Sequence, residues 1–316
     1  MLVQTESITT NASWGIYTYC FTKTHISFPH TFMGIDGIHN VYCVEKNGIF
    51  AVVSNISLKE YNEESLNKNM TDVIWLSTRA KRHNEIIDFV MIHARNYSEN
   101  HAYGNMSDFA NNNIEETSYN EITYLQGTDS FKEKYYIPLV PLRFCTIYKD
   151  YESLFNSIIP HKEMIISFLD YTSDKAEWSV KSFCDKTTFI NSCNKMQSNE
   201  NFEHKSLLPG ESYLMAKKIR KINEEIINAE IQKTLKDIYH SLSQYTDSHK
   251  LLRCIDKSIH GESQDMLMNA AFLVKWQALN DFKYSVDIWA NEYKNKGLIF
   301  KINGPWPPYN FCPQLY

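Results

Sequence analysis

The chain has 316 residues, 43% hydrophobic and 14% aromatic, with 32 basic against 37 acidic side chains and a net charge of -5. That apolar content excludes wholesale disorder, and the length suggests two domains of ordinary size. No run of roughly eighteen apolar residues exists to span a bilayer, and the mild acidity argues against a general nucleic-acid binder, whose affinity rests on neutralised phosphates.

In chain order, residues 14–20 alternate in the manner of a strand. Residues 41–53 read as a hairpin, because Asn47-Gly48 supplies the positive φ angles of a type I′ turn. Ser57-Leu58-Lys59-Glu60 has the capping-box spacing, in which serine and glutamate satisfy each other's orphan amides, and opens a short helix. Thr71 precedes a longer helix to about His93. Trp75, Ile86, Ile87, Val90 and Met91 lie on or near its apolar face, and Arg79, Lys81, Arg82 and Glu85 mark the wet side. Residues 94–136, rich in Asn, Ser and Tyr, read as a flexible insertion. Residues 137–147 follow as a strand framed by prolines, near a sheet edge. Asp150 then caps a helix that Pro160 interrupts and that resumes to about Leu169.

In the second half, residues 176–183 form an alternating strand facing Trp178 and Val180 to one side, followed by a polar linker to Ser206. Pro209-Gly210-Glu211 starts a helix to about Tyr245 with apolar positions at spacings of three and four. Residues 251–255 and 266–276 read as strands, then comes a helix carrying Leu279, Phe282, Val286, Trp289 and Tyr293, capped by Gly297, and a last strand at 298–302. The expected fold class is therefore α+β in two domains. Residues 1–172 form an N-terminal mixed α+β domain with an antiparallel hairpin; residues 173–316 form a C-terminal ferredoxin-like β-α-β-β-α-β domain with a long helix.

The ending Gly304-Pro305-Trp306-Pro307-Pro308-Tyr309-Asn310-Phe311 is unlike a solvated tail, since each proline fixes its own φ and stiffens the residue before it. It reads as a rigid lid over the end of a sheet, with Trp306 buried against its own domain. Its PxxP spacing also matches, weakly, a polyproline II docking site.

The constellations of catalysis are missing: no GxxxxGK[ST], GxGxxG, GxSxG or HExxH occurs. His83 and His93 stand about 15 Å apart on one helix, too far to share a metal. Glu115-Glu116 and Glu224-Glu225 point apart as sequence neighbours, and the Lys217-Lys218-Ile219-Arg220-Lys221 cluster lacks interleaved aromatics for stacking. Seven cysteines (Cys20, Cys43, Cys145, Cys184, Cys193, Cys254, Cys312) form no CxxC pair and read as buried thiols. The polar start at residues 1–11 lacks a signal pattern, which points to the cytoplasm. The expectation is a protein that is not an enzyme, with no catalytic residue, cofactor or metal. The alternatives are an enzyme with a cleft site invisible in sequence and a PxxP-bearing scaffold.

Gly304-Pro305-Trp306-Pro307-Pro308-Tyr309-Asn310-Phe311, Ala176-Glu177-Trp178-Ser179-Val180-Lys181, Pro209-Gly210-Glu211-Ser212-Tyr213-Leu214 and Pro141-Leu142-Arg143-Phe144 together resemble the F/L family of gas vesicle proteins. The resemblance covers most of the chain outside the insertion. It implies a two-domain α+β protein that is not an enzyme, in which Gly304, Pro305, Trp306, Pro307, Pro308, Tyr309, Glu177, Trp178, Pro209, Gly210, Arg143 and Phe144 are structural motif residues. It also implies a minor vesicle component or chaperone-like assembly factor whose partners are the hydrophobic main gas vesicle shell protein (GvpA-type) and other gas vesicle proteins, with no nucleic acid and no membrane. A subunit that lines a gas space would aggregate in water unless a partner covered its apolar face and strand edges. A strand edge around Phe50, Val52 and Arg143 is the expected partner surface. The chain departs from the family in carrying Cys145 after Arg143-Phe144, and Cys20 in the opening strand, where relatives tend to have glycine.

Overall fold

The computed structural model describes residues 14–93, 136–197 and 209–315. The chain divides into two compact units, Met1–Lys175 with Pro307–Tyr316 and Ala176–Trp306. The division falls after Lys175, where the expectation has 172, and the last ten residues group with the first unit and not with the strand that precedes them. Apart from Tyr136, the expected insertion at 94–136 lies outside the described residues.

The first unit contains β1 (Trp14–Thr22), β2 (Val41–Lys46), β3 (Ile49–Ser57), α1 (Leu58–Tyr61), α2 (Glu63–Asn69), α3 (Val73–Asp88), β4 (Val140–Pro141), β5 (Ile147–Tyr148), α4 (Tyr151–Ile158) and α5 (Lys162–Tyr171). The sheet order is β2-β3-β1-β4, with β5 also on β1, all antiparallel. The hairpin turn is as expected: Asn47 and Gly48 take φ of 58° and 80°.

A register shift between Thr18 and Cys20 places one extra residue in β1. Because side chains alternate, an extra residue switches which positions face which side. Ile16 before the shift and Phe21 after it thus join one cluster, with Ile49, Ala51 and Val53 of β3 and Leu154, Phe155, Ile158, Ile165, Phe168 and Leu169 of α4 and α5. The opposite face presents Tyr17 and Tyr19 to His83 on α3. The sheet is covered on both sides.

Several local expectations change. The Ser57 hydroxyl accepts only from the Lys59 amide at 3.4 Å, because the Glu60 carboxylate is engaged elsewhere, by Trp75 Nε1 and Arg79. Asp72, and not Thr71, caps α3 by accepting from the Ile74 and Trp75 amides. Arg79 and Arg82 are not on a fully wet face: Arg79 reaches Glu60, and Arg82 donates to the Met33 carbonyl while lying over the Phe32 ring. Residues 137–147 do not make one strand. The regular ladder with β1 covers only Val140–Pro141 and Ile147–Tyr148; between them the Leu142 amide still donates to the Tyr19 carbonyl and the Thr18 amide to the Thr146 carbonyl, around a turn in which Cys145 adopts φ 64°.

The second unit begins within β6 (Lys175–Cys184) and continues through α6 (Lys186–Gln197), α7 (Pro209–Ser243), β7 (Ser248–Leu251), α8 (Lys257–His260), β8 (Asp265–Lys275), α9 (Leu279–Lys294) and β9 (Leu298–Trp306). Its strand order, β7-β8-β6-β9, is the ferredoxin-like one. The expected polar linker after 183 is in part α6, started by Asp185, whose carboxylate accepts from the Thr187 and Thr188 amides. The strand expected at 251–255 is displaced to Ser248–Leu251. In β9, Gly304 has φ 148° and lies where a Cβ would come within 2.8 Å of the Trp178 ring, so the glycine of the terminal motif lets this strand close over Trp178.

The turn at Cys145 carries a testable consequence. A β-carbon in the left-handed region costs about 1–2 kcal/mol, against roughly 0.4–1 kcal/mol for the extra unfolded freedom of glycine. Cys145→Gly is expected to raise stability by roughly 0.5–1 kcal/mol, read as a higher urea midpoint at unchanged slope; a lower midpoint would show that the thiol packs better than its backbone strains.

Candidate functional site

The densest polar arrangement in the first unit is centred on His83, 2% exposed on the inner face of α3. Its Nδ1 lies 3.0 Å from the Tyr17 hydroxyl, which in turn accepts from the Cys145 amide at 2.9 Å. Its Nε2 lies 3.1 Å from the Leu142 carbonyl and 3.3 Å from the Tyr309 hydroxyl. A carbonyl can only accept, so Nε2 carries the proton and Nδ1 accepts from Tyr17. Desolvation holds the imidazole well below its ordinary range, at about 4. The ring is neutral, buried and bonded at both nitrogens, which makes it a junction between α3, β1, the β4–β5 turn and the C-terminal segment.

That segment crosses the sheet. Tyr309 meets His83 on the α3 side, while Leu315, with Phe311 and Cys312, packs into the cluster of α4 and α5 on the other. Tyr309 is 39% exposed as a residue, yet burial pushes its phenol above the usual range, so the ring flank faces water and the hydroxyl points inward. Trp306, expected to be buried, is 43% exposed. It pairs with Glu177 beyond a register shift at the end of β9. Anchorage of the ending comes from Pro307, Pro308 and Leu315 instead, all buried.

The other motif residues separate into two groups. Phe144 stands edge-on to both His83 and Trp75, and Arg143 beside it is exposed. Glu177 and Trp178 are buried in β6, with Lys283 over the indole, Gly304 and Pro305 lie opposite them in β9, and Pro209-Gly210 open α7. The expected strand edge at Phe50 and Val52 is not an edge: β3 is paired on both sides, by β2 and β1, and Val52 is fully buried. His83 was missed as a core residue, although its spacing to Ile86, Ile87 and Val90 puts it on the same buried stripe.

Among the described residues no group of three or more His, Cys, Asp or Glu could hold a metal ion, and no helix is long and apolar enough to cross a membrane.

These two units, an α+β sheet domain and a ferredoxin-like domain, define a fold already seen in solved structures. The gas vesicle protein GvpF of Anabaena sp. PCC7120 matches with TM-score 0.56 and 18% identity over 96% of this chain and 97% of that one. GvpF of Microcystis aeruginosa matches with TM-score 0.57 and 18% identity over 95% and 99%. In sequence, the chain is 25% identical to gas vesicle protein F of Dolichospermum flosaquae over 55% of this chain and 69% of the relative. It is 23% identical to gas vesicle protein F of Microcystis aeruginosa (strain PCC 7806) over 59% and 74%. The model of the family described as gas vesicle synthesis protein GvpL/GvpF matches residues 15–96 and 126–313. The chain belongs to the GvpL/GvpF family, and its role is gas-vesicle-related.

Two outcomes test the junction. Removing Pro307–Tyr316 strips Leu315 and Phe311 from the core and is expected to destabilise the first unit by about 3 kcal/mol or more. Trp306→Ala, at a half-exposed position, is expected to cost about 1 kcal/mol or less. Thermal unfolding of both variants checks the order, and a larger loss for Trp306→Ala would contradict it.

The second outcome is pH dependence. The folded protein refuses a proton that unfolded His83 accepts below about 6.5, so its contribution is full above that pH and is lost as pH falls through about 4, about 3 kcal/mol in all. Asp88 on the same helix acts oppositely: burial raises its carboxyl to about 6, so its stabilising contribution is present in acid and lost as pH rises through about 6. His83→Gln, which keeps a donor for Leu142, should therefore flatten the loss between pH 6.5 and 4 in denaturant titrations; an unchanged slope would mean that other groups cause it.

Proposed function

We propose that this protein acts in gas vesicle assembly as a minor vesicle component or chaperone-like factor, working in the cytoplasm and at the growing vesicle. It holds the hydrophobic main shell protein until that protein is incorporated. Family membership supports the gas vesicle setting, and one surface of the first unit supports the binding role. At the junction of α2 and α3, Met70, Val73 and Ile74 are 42%, 77% and 78% exposed. Met70 caps the end of α2 and Val73 and Ile74 open α3 across a break at Asp72, next to Trp75, which touches Phe144 beside the exposed Arg143. Large apolar side chains exposed at a helix junction gain about 1.5–3 kcal/mol each when a partner fully covers them. An aggregation-prone apolar subunit is a partner that gains equally from the contact. This reading keeps Arg143 from the expected partner surface and replaces Phe50 and Val52 by Met70, Val73 and Ile74.

Co-expression with the main shell protein, followed by pull-down, tests it. Shell protein is expected to stay soluble and to co-purify with this chain, and Val73→Asp with Ile74→Asp is expected to reduce recovery by about tenfold or more without lowering the unfolding temperature. No co-purification, with both proteins folded, would overturn the reading.

A further inference from the structure

The second unit carries a surface that the shell-protein reading does not use. Among the described residues β7 is the end strand of its sheet. The Leu252 amide donates to the Asn269 carbonyl at 2.7 Å, so by alternation the amide and carbonyl groups of Leu251 and His249 point away from β8 towards the open edge. Sheet edges invite strand addition and are normally blunted by shortness or a lysine. β7 has both guards, being four residues long and containing Lys250. Neither guard accounts for what surrounds it: Leu251, Ile255 and Ile259 are 61%, 37% and 75% exposed along the same stretch.

Beyond β7 the chain stays extended and is held there. The buried side chain of Asn269 donates to the Arg253 carbonyl at 2.9 Å. There the chain lines an open cleft of about 530 Å³, walled by Ile255, Met266 and Leu267 and flanked by Lys186 and Lys257. These two lysines converge on one carboxylate, Asp265, at 3.0 and 3.1 Å. The Ile255 amide reaches only the Met266 sulfur at 3.5 Å, a weak acceptor. Lys250 and Arg253 are exposed on the approach, and among the described residues no carboxylate pairs with the Arg253 guanidinium. In the cleft Lys186 and Lys257 are balanced by Asp256 and Asp265, so the positive charge of this surface is that of Lys250 and Arg253 along the edge, in a chain whose overall charge is -5.

We propose that the open edge of β7 and the cleft that follows it form a docking site for an extended acidic segment of a partner protein. Backbone groups of the incoming strand pair with His249 and Leu251, its apolar side chains cover Leu251 and Ile255, and its carboxylates face Lys250 and Arg253. The sign of the charge selects against a second copy of this strand, since antiparallel self-pairing would bring Lys250 and Arg253 towards their own counterparts. The site is independent of the α2–α3 junction and remains testable if that surface proves unused.

The test uses the full-length protein and fluorescein-labelled peptides of roughly ten residues, a long strand's length, with alternating valine and glutamate or valine and lysine. At low salt the glutamate peptide is expected to bind at least about tenfold more tightly than the lysine peptide. Methylating its amides along one edge is expected to abolish binding, because that edge can no longer pair. Lys250→Glu with Arg253→Glu, both at exposed positions, is expected to reverse the preference while leaving thermal unfolding unchanged. No binding of the glutamate peptide, equal binding of both peptides, or affinity unchanged by the double substitution would overturn the proposal. So would concentration-dependent self-association of the protein that the glutamate peptide does not compete.

Discussion

The neutral imidazole of His83 is the constraint on which the first unit is arranged. Four separate stretches reach it: α3 supplies the ring, β1 the Tyr17 hydroxyl, the β4–β5 turn the Leu142 carbonyl and, through Tyr17, the Cys145 amide, and the C-terminal segment Tyr309. Each of these groups is costly to bury unpaired, and each is paired here with a group from another element. The network thus fixes relative placement in a way the surrounding aliphatic contacts do not. A methyl group tolerates a shift of half an ångström; a hydrogen bond with one available acceptor does not.

The extra residue in β1 has the same organising effect on packing. In a regular strand Ile16 and Phe21, five residues apart, would face opposite sides; the bulge turns both into the α4–α5 cluster while Tyr17 and Tyr19 face α3. Cys20 lies fully buried at this irregularity, and Cys145 occupies the left-handed turn that holds the Tyr17 hydroxyl. Both cysteines sit at backbone irregularities next to the polar junction.

What the sequence disclosed followed the strength of local signals. The Asn47-Gly48 hairpin, the Asp150 cap, the Pro160 break and the α7 and α9 helices were legible because turn chemistry and apolar period act within a few residues. The order of the second unit's strands followed from the alternation of elements. Legibility failed where a residue's partner is far away in sequence. Glu60 looked like a capping residue and is instead engaged by Trp75 and Arg79. Val52 looked available and is paired from both sides. His83 shares the stripe of Ile86, Ile87 and Val90, which marks it as a core residue, but its partners Tyr17, Leu142 and Tyr309 lie far away in sequence. The GPWPPY ending was rightly read as fixed, but the body it is fixed to lies before residue 176 and not in the strand it extends.

This last arrangement bears on how the protein comes to be made. The second unit is inserted in the first, so the residues that finish the first core are translated after every strand and helix of the second. During synthesis the Ile16–Phe21 cluster waits with its apolar side incomplete, while the ferredoxin-like unit can close as soon as Trp306 leaves the ribosome. A chain that stops after Trp306 would present a finished second unit on an unfinished first one, a species exposed to proteolysis by its open core. The order of the units along the chain therefore makes completion of the first unit depend on residues translated after the whole of the second.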